Sequence, residues 1–124
     1  MKFYYCETCK NVIEMVVDHN VKPSCCGKPM VELVANTTDA AKEKHVPVVS
    51  LDGNKCHVVV GSVLHPQTEV HLINFIVVET TNGVYRKDLN PNDTPEATFT
   101  LAEGETVVNV YAYCNLHGLW KATL

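Results

Sequence analysis

Four of the six cysteines stand within the first 26 residues, as Cys6-x-x-Cys9 and the adjacent pair Cys25-Cys26. Around them lie short apolar runs, Phe3 to Tyr5, Val12 to Val17 and Met30 to Val34. Turn-formers separate the runs: Asp18-His19-Asn20, Pro23, Gly27 and Pro29. This reads as a few short strands joined by turns. A unit ending near residue 36 buries too little surface to fold unaided and needs a staple. Four thiolates around one ion supply that staple and tie folding to metal binding. The first pair has the usual spacing for two thiolates on one ion. The second is unusual, because neighbouring side chains on a strand point to opposite faces. Cys25 and Cys26 share an ion only if the backbone turns sharply at them. An ordinary zinc ribbon uses a second Cys-x-x-Cys instead. Zinc, iron and a disulfide all stay open on the residues alone.

Asn36-Thr37-Thr38-Asp39 is a polar break and marks the expected boundary, giving a metal-stapled domain at 1–36 and a second domain at 37–124. Thr38 or Asp39 is placed to cap a short helical turn through Ala40-Ala41-Lys42. After Glu43-Lys44-His45-Val46-Pro47 the pattern is that of strands: Val46 to Leu51, Lys55 to Val60, Val70 to Glu79, Val84 to Leu89, Ala97 to Leu101, Thr106 to Cys114 and Leu119 to Leu124. Asp52-Gly53-Asn54, Asn82-Gly83, Asn90-Pro91-Asn92-Asp93 and Glu103-Gly104-Glu105 punctuate them. Short strands at this spacing predict an antiparallel β-sandwich, so the whole chain is expected to be all-β.

The second candidate site centres on Cys114-Asn115-Leu116-His117-Gly118-Leu119-Trp120. One turn there aims a thiolate and an imidazole at a single ion, and the only tryptophan supplies a bulky wall. His45, His65 and His71 complete a proposed set of four imidazoles with the Cys114 thiolate. Such a set suits a borderline transition metal rather than calcium or magnesium. Five ligands leave one octahedral position open, where a small molecule can react. One step is geometrically demanding. On a straight strand His65 and His71 stand roughly 20 Å apart, at about 3.3 Å per residue; Pro66 with Gln67-Thr68 offers a turn that would bring them together. His19 and His57 lie outside the set. His57 reads as a surface or packed strand residue and Cys56 as a buried free thiol.

Composition limits the alternatives. At 124 residues the chain fits one domain, or a small one beside one of roughly 90. The formal charge of −4 argues against nucleic-acid binding, which wants a basic face. No run approaches the roughly 18 apolar residues of a membrane span. The N-terminal Met1-Lys2-Phe3-Tyr4-Tyr5-Cys6 lacks the features of a secretory signal. A cytoplasmic protein is expected, and in a reducing compartment the cysteines are better metal ligands than disulfides.

Taken together, these motifs resemble the desulfoferrodoxins, the two-iron class of superoxide reductase. Cys6-x-x-Cys9 followed after fifteen residues by Cys25-Cys26 is similar to that family's desulforedoxin-like domain. Glu43-Lys44-His45-Val46-Pro47, Gly61-Ser62-Val63-Leu64-His65-Pro66, His71 and the Cys114–Trp120 stretch resemble its catalytic-iron motifs. The resemblance implies a rubredoxin-like Fe(Cys)4 centre on Cys6, Cys9, Cys25 and Cys26. It implies a square-pyramidal Fe(His)4(Cys) centre in an immunoglobulin-like second domain. His45, His65, His71 and His117 would be equatorial there, and Cys114 axial opposite the open site. The implied reaction is one-electron reduction of superoxide to hydrogen peroxide, with electrons from a donor such as rubredoxin, in a homodimer joined through the small domain. Lys44 would attract superoxide, and Glu43 would ligate the oxidised iron after product leaves.

Two rivals fit the residues less well. A blue-copper protein usually places a methionine just downstream of such a Cys-x-x-His, and none follows His117. A zinc module acting by protein contact explains the first four cysteines and leaves the second constellation idle.

Overall fold

The computed structural model describes residues 1–124. They form two compact units, Met1–Val34 and Ala35–Leu124.

In the first unit β1 (Phe3–Tyr5) pairs antiparallel with both β2 (Val12–Glu14) and β5 (Val31–Glu32). Between these, β3 (Ser24–Cys25) and β4 (Lys28–Pro29) form a two-residue hairpin that apolar patterning did not reveal. Cys26 and Gly27 turn this hairpin with φ +53° and +75°. Left-handed backbone at two successive residues is the sharp reversal that adjacent cysteines require. The buried centre is small: Tyr4, Cys6 and Met30, flanked by Met15 and Cys25. One ligand cysteine is thus also a core residue.

The second unit opens on a single helical turn, α1 (Lys42–His45), and continues entirely in strands: β6 (Pro47–Asp52), β7 (Lys55–Val60), β8 (Ile73–Thr80), β9 (Val84–Asp88), β10 (Glu96–Thr100), β11 (Val107–Cys114) and β12 (Gly118–Thr123). They build a three-stranded sheet, β10-β7-β6, and a four-stranded sheet, β12-β11-β8-β9, with every pairing antiparallel. One core joins the sheets. Cys56, Val58 and Val60 of β7 and Ala97 and Phe99 of β10 share it with Ile73, Ile76 and Val78 of β8 and with Val110, Ala112 and Cys114 of β11. The expected immunoglobulin-like sandwich is therefore present.

Two local expectations are corrected. Neither Thr38 nor Asp39 caps the helical turn: it begins at Lys42, after Ala41, and has no side-chain cap. The Ala41 carbonyl instead accepts from the Lys44 amide and from His45 Nδ1. The strand expected from Val70 begins only at Ile73, because residues 68–72 are spent on a turn that aims His71.

Register then decides where the site lies. In one sheet Pro47 pairs with Val60; in the other Cys114 pairs with both Ile73 and Gly118. These pairings bring the start of β6, the end of β7, the start of β8 and the β11–β12 hairpin to one end of the sandwich. Each carries or adjoins one or more of His45, His65, His71, Cys114 and His117.

Candidate metal centres

All six cysteines are free thiols, which removes the disulfide reading. In the first unit the sulfurs of Cys6, Cys9, Cys25 and Cys26 lie within 4.8 Å of one another. Cys9 and Cys25 are separated by 3.5 Å, and Cys25 and Cys26 by 3.9 Å. A tetrahedron with metal–sulfur bonds of about 2.3 Å has edges of about 3.8 Å, so the cluster fits one ion. Local backbone builds it. The Lys10 amide donates to the Cys6 carbonyl, the Cys6 amide to the Asn11 carbonyl, and the Cys9 amide approaches Cys6 Sγ at 3.5 Å. That amide lowers Cys6 to about 6, whereas the hydrogen bonds Cys25 makes with Cys9 and Cys6 push it up to about 12. Without a cation, hydrogen bonds among the sulfurs keep protons on the cluster. A bound ion replaces those protons.

In the second unit two of the imidazoles arrive with their free nitrogen already chosen. His45 donates Nδ1–H to the Ala41 carbonyl at 2.6 Å, and His65 donates Nδ1–H to the Pro66 carbonyl at 2.6 Å. Nε2 is left as the ligand atom in both. His117 is turned the other way. Its Nδ1 faces His45 Nε2 at 3.2 Å and Cys114 Sγ at 3.8 Å. The donor atoms of His45, His65, His71 and Cys114 lie within 4.8 Å of one another. The rings meet edge to face, with centroids 4.7 to 5.2 Å apart between His65 and His71 and between His71 and His117. Buried Nε2 atoms of His65 and His71 have no hydrogen-bond partner. Orphaned lone pairs converging on one point, beside a thiol, are what a cation satisfies. The donor set fits the five-ligand iron centre expected from the sequence, and both clusters are suited to iron.

The demanding step between His65 and His71 is solved at the expected Pro66-Gln67-Thr68 turn, by side-chain roles that residue order does not show and by Asn115. Gln67 acts as a substitute strand: its Oε1 accepts from the Ile73 amide at 2.9 Å and its Nε2 donates to the Ile73 carbonyl at 2.8 Å. Thr68 Oγ1 accepts from the His71 amide at 3.1 Å. Asn115 holds the same turn from the other side, accepting from the Leu72 amide and donating to the Val70 carbonyl, each at 3.0 Å. The available signals were a carboxamide directly after His65-Pro66 and another inside the Cys-x-x-His.

Trp120 is fully buried and stacks on His45, with centroids 4.8 Å apart, while its Nε1 donates to the His117 carbonyl. It is the wall expected of it and also a strut. Gly118 turns the ligand hairpin with φ +78°, a conformation side chains disfavour.

Burial governs the electrostatics. Desolvation lowers His45, His65 and His71, taking His65 to about 4. These imidazoles are neutral at neutral pH and ready to bind metal. Burial raises the Cys114 thiol, against the pull of the Leu116 and His117 amides. Lys44 and Glu43 are exposed on α1, and their charges reach inward. Lys44 disfavours protonation of His45 and His71, while Glu43 favours that of His45.

The remaining candidates lie elsewhere. His57 is half-buried on β7 beside Thr98 and Glu96. His19 is exposed in the first unit, and Cys56 is buried in the sandwich core.

The comparisons agree with the geometry. A family model described as Desulfoferrodoxin matches residues 37–123. The chain is 46% identical over 122 residues to the desulfoferrodoxin homolog of Archaeoglobus fulgidus, covering 98% of this chain and 96% of that protein. It is also 46% identical over 122 residues to the desulfoferrodoxin of Syntrophotalea carbinolica, covering 98% and 95%. Among solved structures, the superoxide reductase of Treponema pallidum superposes with a TM-score of 0.82 at 34% identity, over 98% of each chain. The superoxide reductase (1Fe-SOR) of Giardia intestinalis matches 67% of this chain and 98% of its own, with a TM-score of 0.57 at 34% identity. Both sulfur and imidazole clusters are assembled and the likeness runs through both units, so the chain belongs to the desulfoferrodoxin family.

Proposed function

We propose that this chain is a superoxide reductase, catalysing O2•− + e− + 2H+ → H2O2. The observation that carries this reading is the convergence of four imidazole nitrogens and the Cys114 sulfur at one end of the sandwich. The full-length likeness to a superoxide reductase supports it. Unlike dismutation, the reaction releases no dioxygen and takes its electron from outside. Iron held by His45, His65, His71, His117 and Cys114 would supply one-electron chemistry at the substrate.

The chain's own residues do the rest. Lys44 attracts the anion and stabilises the charge that develops on it. Glu43 places a carboxylate at the same lip, suited to the resting state. The Leu116 and His117 amides temper the charge on the Cys114 sulfur. The stacked Trp120 keeps water from the His45 side.

Cys6, Cys9, Cys25 and Cys26 hold a rubredoxin-like iron in the first domain, and the division of the chain at about residue 36 separates this centre from the catalytic one. The donor is a one-electron carrier such as rubredoxin. Exposed Leu64, Val70 and Leu116, each directly before a ligand histidine, supply an apolar rim for its docking. Val16, Val17 and Val21 stand 83%, 68% and 73% exposed in the small unit, which favours a homodimer formed there. Six free thiols suit a reducing cytoplasm, where the activity removes superoxide as an antioxidant defence. No helix is long and apolar enough to cross a membrane.

The deciding experiment is metal analysis followed by a superoxide pulse on the reduced, full-length protein. The expected result is two irons per chain and one peroxide per superoxide, with no dioxygen. Dioxygen release at half the superoxide consumed, or no reaction by the iron-loaded protein, refutes the reading.

A further inference from the structure

Helix α1 is one turn long, has no side-chain cap, and carries His45 and Lys44. A turn that short has no stability of its own, so something outside it sets its position. The structure shows what does. The Glu43 carbonyl accepts from the Val63 amide at 2.8 Å and from the Ser62 hydroxyl at 3.2 Å. Gly61 is buried directly against the same backbone. A Cβ there would stand 2.6 Å from the Glu43 carbonyl oxygen and 3.1 Å from the Lys44 carbonyl carbon, so only glycine permits the approach. The 60–65 turn closes through the His65 amide on the Val60 carbonyl. One short turn thus delivers His65 and grips the segment bearing Lys44 and His45.

We infer that Ser62 is a positioning residue for the superoxide step: together with the Val63 amide it grips the Glu43 carbonyl and holds Lys44 at the mouth of the site. This rests on the reductase reading and on Lys44 as the anion-attracting group. Ser62 is exposed and not part of the sandwich core, so removing its hydroxyl leaves that core intact. The Val63 bond remains in that variant, so the grip weakens rather than disappears.

The test compares Ser62→Ala, Ser62→Thr, Lys44→Ala and the Ser62→Ala/Lys44→Ala pair, all iron-loaded and full length. Hydrogen exchange by mass spectrometry over residues 60–66 and 42–46 reads the grip directly, apart from activity. The expected result for Ser62→Ala is exchange about fivefold faster there, as for loss of one exposed hydrogen bond. Iron content and melting temperature stay unchanged. The second-order rate with superoxide falls about threefold and depends less on ionic strength. Ser62→Thr keeps the hydroxyl and restores both. In the Lys44→Ala background, Ser62→Ala adds no further loss of rate, because it acts through that lysine. Unchanged exchange overturns the grip. An unchanged rate in Ser62→Ala, or rate losses that multiply in the pair, overturns its action through Lys44. Failure of the reductase reading looks different: the unsubstituted protein makes no peroxide, while the exchange data still decide the grip.

Discussion

The two metal pockets of this chain solve the same problem in opposite ways. In the small unit Cys9 and Cys26 are exposed, Cys25 is half-buried, and only Cys6 belongs to the interior. Beside Cys6 that unit buries only Phe3, Tyr4 and Met30, so little but the ligands' shared ion can hold it together. At the end of the sandwich His45, His65 and Cys114 are buried, and the rings are oriented by carbonyls and carboxamides before any ion arrives. The core beneath them joins four strands from two sheets. The first pocket is a fold made by its ligands. The second is a set of ligands made by a fold. A site meant only to hold an ion needs the former; a site meant to present an ion to a substrate needs the latter, because its geometry must survive turnover.

Metal removal tests that contrast most severely. Stripping the protein with a strong chelator under reducing conditions should unfold residues 1–34 outright, while β7, β8 and β11 stay protected. Hydrogen exchange by mass spectrometry reads both units at once. A small unit still protected without metal would break the comparison. Next in size is Cys114→Ser, which should abolish the thiolate-to-iron absorption band of the oxidised catalytic centre and the reaction with superoxide. The rubredoxin-like spectrum of the other centre should be untouched. A surviving band would remove Cys114 from the ligand set.

A smaller effect should follow from pH in the metal-free protein. Burial holds His65 at about 4 and lowers His45 and His71 from an ordinary value near 6.5. As pH falls below about 6.5, the unfolded chain takes up protons that the folded one refuses, so stability falls with pH until the folded imidazoles also titrate. The urea midpoint of the second unit should drop between pH 7 and pH 5. A flat profile would mean these imidazoles are not desolvated in the metal-free fold. Smallest is Lys44→Ala, for which the second-order rate with superoxide should fall roughly tenfold and its ionic-strength dependence should weaken. Stopped-flow or pulse kinetics at two salt concentrations would show it, and an unchanged rate would remove Lys44 from the mechanism.

Much of this was legible from residue order. Alternation and turn residues located all seven strands of the sandwich, because each strand buries one set of side chains and each reversal needs glycine, asparagine or aspartate. The ligand set could be listed because imidazole and thiolate have few other uses in such numbers. The turn that brings His65 to His71 was placed at Pro66-Gln67-Thr68, but what holds it could not be read, since it depends on Gln67 and Asn115 imitating a missing strand. Neighbours on a strand are set by period; a side chain standing in for backbone is set by the third dimension. The capping expectation failed for a related reason. Thr38 has the chemistry of a cap, but its Oγ1 lies beside Gly118, 3.2 Å from where a Cβ would stand, a neighbour eighty positions on. The Cys26-Gly27 reversal was legible because adjacent cysteines leave the backbone no gentler route to one ion.

Trp120 carries a consequence for rates as well as for shape. Its indole covers His45 and tethers the His117 carbonyl, so an ion leaving the sandwich has to wait for a buried aromatic to move and for two imidazoles to swing away together. An ion in the small unit leaves by stepwise thiol exchange at Cys9 and Cys26, which are open to any competing ligand. Under iron scarcity the chain should therefore surrender its metals in sequence, the small unit's iron before that of the sandwich. Partly loaded molecules drawn from starved cells would then still react with superoxide.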